Sequence, residues 1–372
     1  MNKKTKKSKI KNKSHLFKKI AMLIIVVLLF YLILKIIISD QYKDITFTSV
    51  GVYAKSNNPI LGYELRSGLD TRPKELRQNE SIKKQSIDWY LQTNKQGIRG
   101  EEFNIEKEQN EKRIVVVGDS ISLGLGVDNH ETFSYYLEQK LNEISTKSKE
   151  PKKHYRVINF GRSGYNTIQE VELIKTKVLD YKPDLIILQF FYNDFSWNEP
   201  LLNAMLTQKE EKEVRNFVKR NVPLTCKIKM KLEELVFIDI FMKTKYPGRI
   251  TIQQLIDETN KLFENKCNWA LFESQMEKLS KIAKNEDIPI LFVTAPYIFE
   301  VENNLFGDFR ERINDIAKKK GFITIDLLEV YNQTTTDKLH YESNIEEIHP
   351  GSYGHKLISN RIYDELLKSA LI

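Results

Sequence analysis

Cysteine is almost missing from this chain: there are two, Cys226 and Cys267, in 372 residues. That scarcity excludes a disulfide-dense scaffold and leaves no zinc-ligand spacing; the two thiols are compatible with one bridge or with none. Acidic residues are absent from the first 39 positions, which hold ten lysines. Taking those ten from the 58 cations leaves 48 against 50 anions, so positions 40–372 sit near −2. The formal charge of +8 therefore belongs to the N-terminus alone, and no basic nucleic-acid face is expected on the folded part. Glycine-rich cofactor loops are missing too. No lysine follows Gly124 or Gly126 as a phosphate-binding P-loop requires, and no G-x-G-x-x-G dinucleotide motif occurs. No cofactor and no metal are expected.

What the N-terminus does have is a long apolar run. Ile20 to Leu34 is unbroken, and after Lys35 it resumes through Ile36–Ile38. Nineteen helical residues reach about 28 Å, close to the hydrocarbon thickness of a bilayer. Lys35 near one end would snorkel to the interface. Nine lysines ahead of the run keep the N-terminus cytoplasmic and send the rest outward. A cleaved signal peptide would have a shorter apolar region and a small-residue cleavage site, and no such site follows. The expectation is a cytoplasmic tail over 1–19, a transmembrane signal anchor over 20–38 and an extracytoplasmic remainder.

Residues 39–112 are mixed and turn-rich, and Tyr63, Trp89 and Tyr90 need a surface to pack against. They read as a juxtamembrane segment laid on the main domain, with 105–112 a charged surface stretch. From residue 113 onward, strand and helix patterns alternate. The strand candidates are Arg113–Val117, Tyr155–Phe160, Asp184–Phe190, Ile288–Thr294 and Phe322–Asp326. Their continuous apolar, β-branched character suits strands buried on both faces. Phe272, Met276, Leu279 and Ile282 recur at helical spacing between two of them. The class is α/β: a three-layer α/β/α sandwich with a flavodoxin-like parallel sheet of about five strands. One span, about 196–266, is too long for a connection and carries helical patterns of its own. It reads as an extra helical pair packed on the rim, or as a lid.

The stretch "VVVGDSISLG" runs a buried strand into a turn holding Ser120. An α/β-hydrolase elbow, G-x-S-x-G, fails because Ser122 stands at its last position. Two further polar stretches, "NFGRSGYNT" and "QFFYND", follow strand candidates, and a third, "EEIHPGSYGH", opens the last helix. Ligands of open parallel sheets bind at such carboxyl ends. In these blocks, in this order, the chain resembles the SGNH (GDSL-like) esterase and acyltransferase superfamily over about 113–372. Gly118-Asp119-Ser120 matches the first block, Gly164 the second, Asn193 the third and His349 the last. "TNKQGIRG" resembles the lead-in of membrane-anchored bacterial members. Two departures stand out: Phe191 where the third block has glycine, and Glu346 where the last has aspartate.

The resemblance implies an ester-cleaving serine site. Ser120 would be the nucleophile, His349 the base that takes its proton, and Glu346 the acid that holds the imidazole tautomer, with Asp337, or a backbone carbonyl in place of any acid, as competitor. The oxyanion donors would be the Ser120 and Gly164 backbone N–H groups and the Asn193 amide. His355, on the last helix, reads as a packing or capping residue, and Trp197 and Trp269 as core or lid aromatics. The implied activity is removal of O-acyl groups, such as acetyl, from a cell-surface glycan or other envelope ester through an acyl-enzyme. An O-acyltransferase would use the same serine, and a catalytically silent glycan-binding or scaffolding protein is the rival outside enzymes. The expected topology has a direct readout. Protease added to intact spheroplasts should digest the 40–372 part, and protection until lysis would refute the anchor's orientation.

Overall fold

The computed structural model describes residues 51–76, 88–147, 153–196, 207–228, 251–301, 303–339 and 348–372, with Lys19, Met22 and Val26 besides. The expected span 20–38 lies outside the described residues except for Met22 and Val26, which are helical and exposed. Among the described residues no helix is long and apolar enough to cross a membrane.

Two small antiparallel pairs open the described chain: β1 (Tyr53–Lys55) with β2 (Tyr63–Leu65), and β3 (Asp70–Thr71) with β4 (Leu91–Gln92). The main sheet follows. Its strands are β5 (Glu111–Val117), β6 (His154–Asn159), β7 (Leu185–Phe190), β8 (Ile290–Thr294) and β9 (Ile323–Asp326), all parallel, in the order β6-β5-β7-β8-β9. Numbered within the sheet this is 2-1-3-4-5, the flavodoxin-like order, whose reversal lies beside the first strand. Every residue of β7 and β8 is buried, as an apolar run between two helical layers requires.

Among the described residues from 51 onward, the α-helices are α1 (Ser120–Leu123), α2 (Phe133–Lys147), α3 (Thr167–Thr176), α4 (Gln208–Arg220), α5 (Ile252–Glu264), α6 (Lys266–Glu286), α7 (Gly307–Lys319), α8 (Leu328–Tyr331), α9 (Thr336–Leu339) and α10 (Ser352–Lys368). Right-handed crossovers divide them by direction of travel. The step from β5 to β6 goes one way and puts α2 on one face; the three later steps go the other way and put α3, α6 and α7 opposite. Packing agrees, with α2 against α10, α3 against α6 and α6 against α7.

Strand β5 begins earlier than the sequence suggests, and part of the stretch expected at the surface is inside. Glu111 and Arg113 are both buried because they satisfy each other: Arg113 Nε and Nη2 donate to Glu111 at 3.0 and 3.1 Å. The remaining Arg113 donors reach Ile105, Tyr181 and Asn104 carbonyls at 2.6–3.0 Å. Two charges thus enter a strand without an unpaired group. The segment before β5 contributes Val52, Tyr53, Leu61, Tyr63, Leu65, Trp89, Leu91 and Ile98 to the main core.

Within the long span after β7, the described residues form α4 and α5. Val214 and Val218 of α4, with Val222 just past its end, make a satellite core with Ile60, Ile168, Leu271 and Cys226. Cys226 and Cys267 are bridged, with Cα atoms 5.6 Å apart, tying the end of that segment to the start of α6. Helix α5 lies on the aromatic side of the core, where the Phe263 ring stacks on Phe309 of α7 at 3.4 Å. The bridge closes a 41-residue loop. Cys226→Ser should therefore lower unfolding free energy by about 2–4 kcal/mol in a urea titration, and an unchanged midpoint would show that the satellite core holds α4 by itself.

Candidate active site

At the carboxyl end of β5 the chain turns through Gly118 into α1, a single turn whose first residue is Ser120. Asp119 caps it, its Oδ1 accepting the Ile121 N–H at 2.9 Å. Burial pushes the Asp119 carboxyl up, while that N–H and the neighbouring His349 pull it back toward ionisation. Beneath the turn, Ser122 donates its backbone N–H (3.2 Å) and its hydroxyl (2.9 Å) to Gln189 Oε1 on β7. The serine that breaks the elbow pattern is thus an anchor for the turn. At the carbonyl end, fully buried Arg99 donates to Leu123 O, to Gly124 O and Val127 O at 2.6 Å each, and to Asn129 Oδ1 at 3.1 Å. A cation there complements the exposed carbonyls of a helix end.

His349 Nε2 lies 2.8 Å from Ser120 Oγ. The hydroxyl's longer contact is Asp119 Oδ2, at 3.3 Å. The imidazole arrives from the segment entering α10, where the Gly351 N–H donates to Leu339 O at 2.7 Å and sets the approach of the chain.

The loop after β6 lies directly on α1. Arg162 N–H donates to Gly118 O at 3.0 Å. A Cβ at Gly161 would overlap the backbone of Ser122 and Leu123, so only glycine lets the two loops meet this closely. Gly164 follows at a φ of 75°, in the left-handed region that favours glycine. The N-terminal segment clamps this loop from outside: Ser163 N–H donates to Tyr53 Oη at 3.2 Å, and Tyr63 Oη donates to Ser163 O at 2.7 Å. Asn193 sits in the 3-10 turn Tyr192–Phe195 after β7. Phe191 N–H donates to Asp194 Oδ2 at 2.6 Å, and Thr167 Oγ1 at the start of α3 donates to Asp194 O at 3.0 Å. The Asn193 amide is half-buried and makes no hydrogen bond among the described residues. Phe191, standing where the resembling family has glycine, turns its ring into the core against Tyr192 and Tyr297.

A turn bearing Ser120, an imidazole on its hydroxyl and two polar loops thus lie at the carboxyl ends of adjacent strands. The sequence model of the GDSL-like lipase/acylhydrolase family matches residues 116–357, most of the chain and all four blocks. The chain belongs to the GDSL-like lipase/acylhydrolase family. It is accordingly a serine esterase, and a catalytically silent scaffold is set aside. No curated protein sequence matches it. Among solved structures it is similar to a lipase/acylhydrolase from Enterococcus faecalis, at 16% identity and a TM-score of 0.39, covering 68% of this chain and 95% of that one. A variant of an acetyl xylan esterase from Geobacillus stearothermophilus matches at 15% identity and a TM-score of 0.41, covering 71% of this chain and 97% of that one. A two-domain esterase active on acetylated mannans matches at 14% identity and a TM-score of 0.39; the match covers 69% of this chain but only 49% of that protein's length.

Other residues singled out in the sequence fall elsewhere. Glu346 lies outside the described residues, as do Glu347, His340 and Trp197. Asp337 is exposed on α9 and makes no hydrogen bond or ion pair among the described residues. His355 is wholly buried and accepts the Phe133 N–H at Nδ1, 3.2 Å. Burial, with the Arg99 charge, pulls it down to about 3, so the ring is neutral and structural. Trp269 is buried, its indole N–H donating to Phe263 O at 2.7 Å. Sequence reasoning missed Arg99, Gly161, Gln189, Tyr53 and Tyr63. It also missed Glu170, a fully buried α3 carboxyl with both oxygens unpaired among the described residues, driven far up by burial and by the Asp119 charge. Gly161 carried a signal, since "NFGRSG" has two glycines three apart where one loop glycine would serve. Gly161→Ala should push α1 away and reduce turnover of p-nitrophenyl acetate at least about a hundredfold; wild-type turnover would show that the loops separate freely.

Proposed function

We propose that this esterase is tethered by its N-terminal apolar run and works outside the membrane, removing small O-acyl groups from a cell-surface glycan or comparable envelope ester. The observation that carries the mechanism is the 2.8 Å separation of His349 Nε2 and Ser120 Oγ. Unprotonated at Nε2, His349 takes the Ser120 proton as Oγ attacks the ester carbonyl carbon. Negative charge gathers on the former carbonyl oxygen, for which the Ser120 and Gly164 backbone N–H groups and the Asn193 amide are the donors. The imidazolium then protonates the leaving alcohol, and water attacks the acyl-Ser120 ester by the same route in reverse. Glu346 is the acid for Nδ1, holding the tautomer in which Nε2 accepts. Exposed Asp337 on α9 is its competitor.

The location rests on two features. Nine lysines precede the apolar run, which favours an outward-facing domain. The Cys226–Cys267 bridge is of a kind that persists in oxidising compartments. A polymer on the outer face is then the ester within reach of a tethered site.

Ser120→Ala should abolish both ester turnover and fluorophosphonate labelling with the fold intact; retained turnover would sink the mechanism. Glu346→Gln should lower kcat at least about a hundredfold with KM little changed, while Asp337→Asn does little. The reverse pattern would move the acid to Asp337 and leave Ser120 and His349 in place.

A further inference from the structure

We infer that the buried cluster of Tyr192, Glu300 and Arg310 positions the Asn193 amide for acyl transfer, which makes Tyr192 and Arg310 positioning residues of the reaction. The inference rests on the oxyanion role given to Asn193 above.

Tyr192 immediately precedes Asn193 in the turn after β7. Its hydroxyl donates to Glu300 Oε1 at 2.6 Å and accepts from Arg310 Nη1 at 2.6 Å. Arg310 Nη1 also pairs with Glu300 Oε2, its Nη2 donates to Asn304 Oδ1, and its Nε donates to Asp326 Oδ2 at 3.0 Å. Glu300 takes two more donors, the Tyr297 N–H at 2.9 Å and the Phe306 N–H at 3.1 Å. The Arg310 and Glu300 side chains are 1% and 0% exposed, so the pair is fully withdrawn from water. One guanidinium thereby ties together the loop after β7, the loop after β8 and the end of β9.

Filling space does not explain the cluster. The Tyr192 ring already lies among Phe191, Phe263, Tyr297, Phe306 and Phe309. Apolar side chains would pack there at least as stably, because burying two charges carries a desolvation penalty that their attraction only offsets. What the charges add is direction. An aromatic ring in an aromatic nest can slide and rotate, whereas a phenol held by one donor and one acceptor has its oxygen fixed at a point. That fixity matters for the next residue. The Asn193 amide makes no hydrogen bond among the described residues, so its aim depends on the backbone that carries it. A displacement of about 1 Å in a positioned group is enough to reduce rate about a hundredfold.

The test is a double-mutant cycle in the full-length, membrane-reconstituted protein with p-nitrophenyl acetate: Tyr192→Phe, Asn193→Ala and the pair. Tyr192→Phe removes one oxygen and keeps the ring. It should lower kcat about ten- to a hundredfold with KM unchanged, and add nothing in the Asn193→Ala background. Wild-type kcat for Tyr192→Phe, a rise in KM alone, or losses that multiply fully in the pair would each overturn the inference. Asn193→Ala with wild-type kcat would instead overturn the oxyanion role, and the inference with it. Should Tyr192→Phe fail to fold by thermal melt, Arg310→Lys is read by the same criteria, since it keeps the charge and loses the fork that reaches the phenol.

Discussion

The Ser120–His349 contact joins positions 229 residues apart, and the architecture can be read as the means of holding it at 2.8 Å. A hydroxyl and an imidazole on opposite ends of a domain meet only if both are delivered to one edge of the sheet. Strand β5 does this for Ser120 by lying beside the reversal, and α10, packed on α2, does it for His349 at its entry. A shift of either element would break proton transfer before it disturbed the core, because hydrogen bonds lose strength steeply with distance and angle.

Backbone geometry, more than side-chain identity, carries the precision of the site. Gly161 allows the loop after β6 to rest on α1, and Gly164 bends it beyond that contact. Buried groups then lock the loops from below and from the sides: Gln189 under Ser122, Arg99 at the carbonyl end of α1, Tyr53 and Tyr63 against Ser163, and the Arg310 cluster behind Asn193. Most of these anchors are charged or phenolic groups satisfied by backbone atoms. Such groups have large desolvation penalties when a partner moves, so each one resists the displacement that the chemistry cannot tolerate.

Two parts outside the five-stranded sheet are built into this arrangement. The segment before β5 supplies Arg99, Tyr53 and Tyr63, so the piece between the apolar run and the domain is part of the site's frame. The span after β7 supplies α4, stapled at Cys226, and α5, whose Phe263 joins the aromatic nest around Tyr192. Its described helices are packed elements with their own apolar faces.

The sheet, and the two side chains that meet at 2.8 Å, were legible in the sequence. Continuous β-branched runs suit burial on both faces, and three of the four polar blocks follow strand candidates while the fourth opens the last helix. Local pattern also marked His355 as a packing or capping residue and the span of about 196–266 as helical. The supports were decided only by tertiary structure. Arg99, Glu300 and Arg310 act through partners tens to over a hundred residues away, and nothing in their own neighbourhoods distinguishes them from surface residues of the same type. The same holds for Glu111, which reads as part of a charged surface stretch until its pairing with Arg113 is in view. Whether the two cysteines bond was likewise beyond the sequence, because a disulfide depends on a Cα separation that only the packing of the α4 segment against α6 sets.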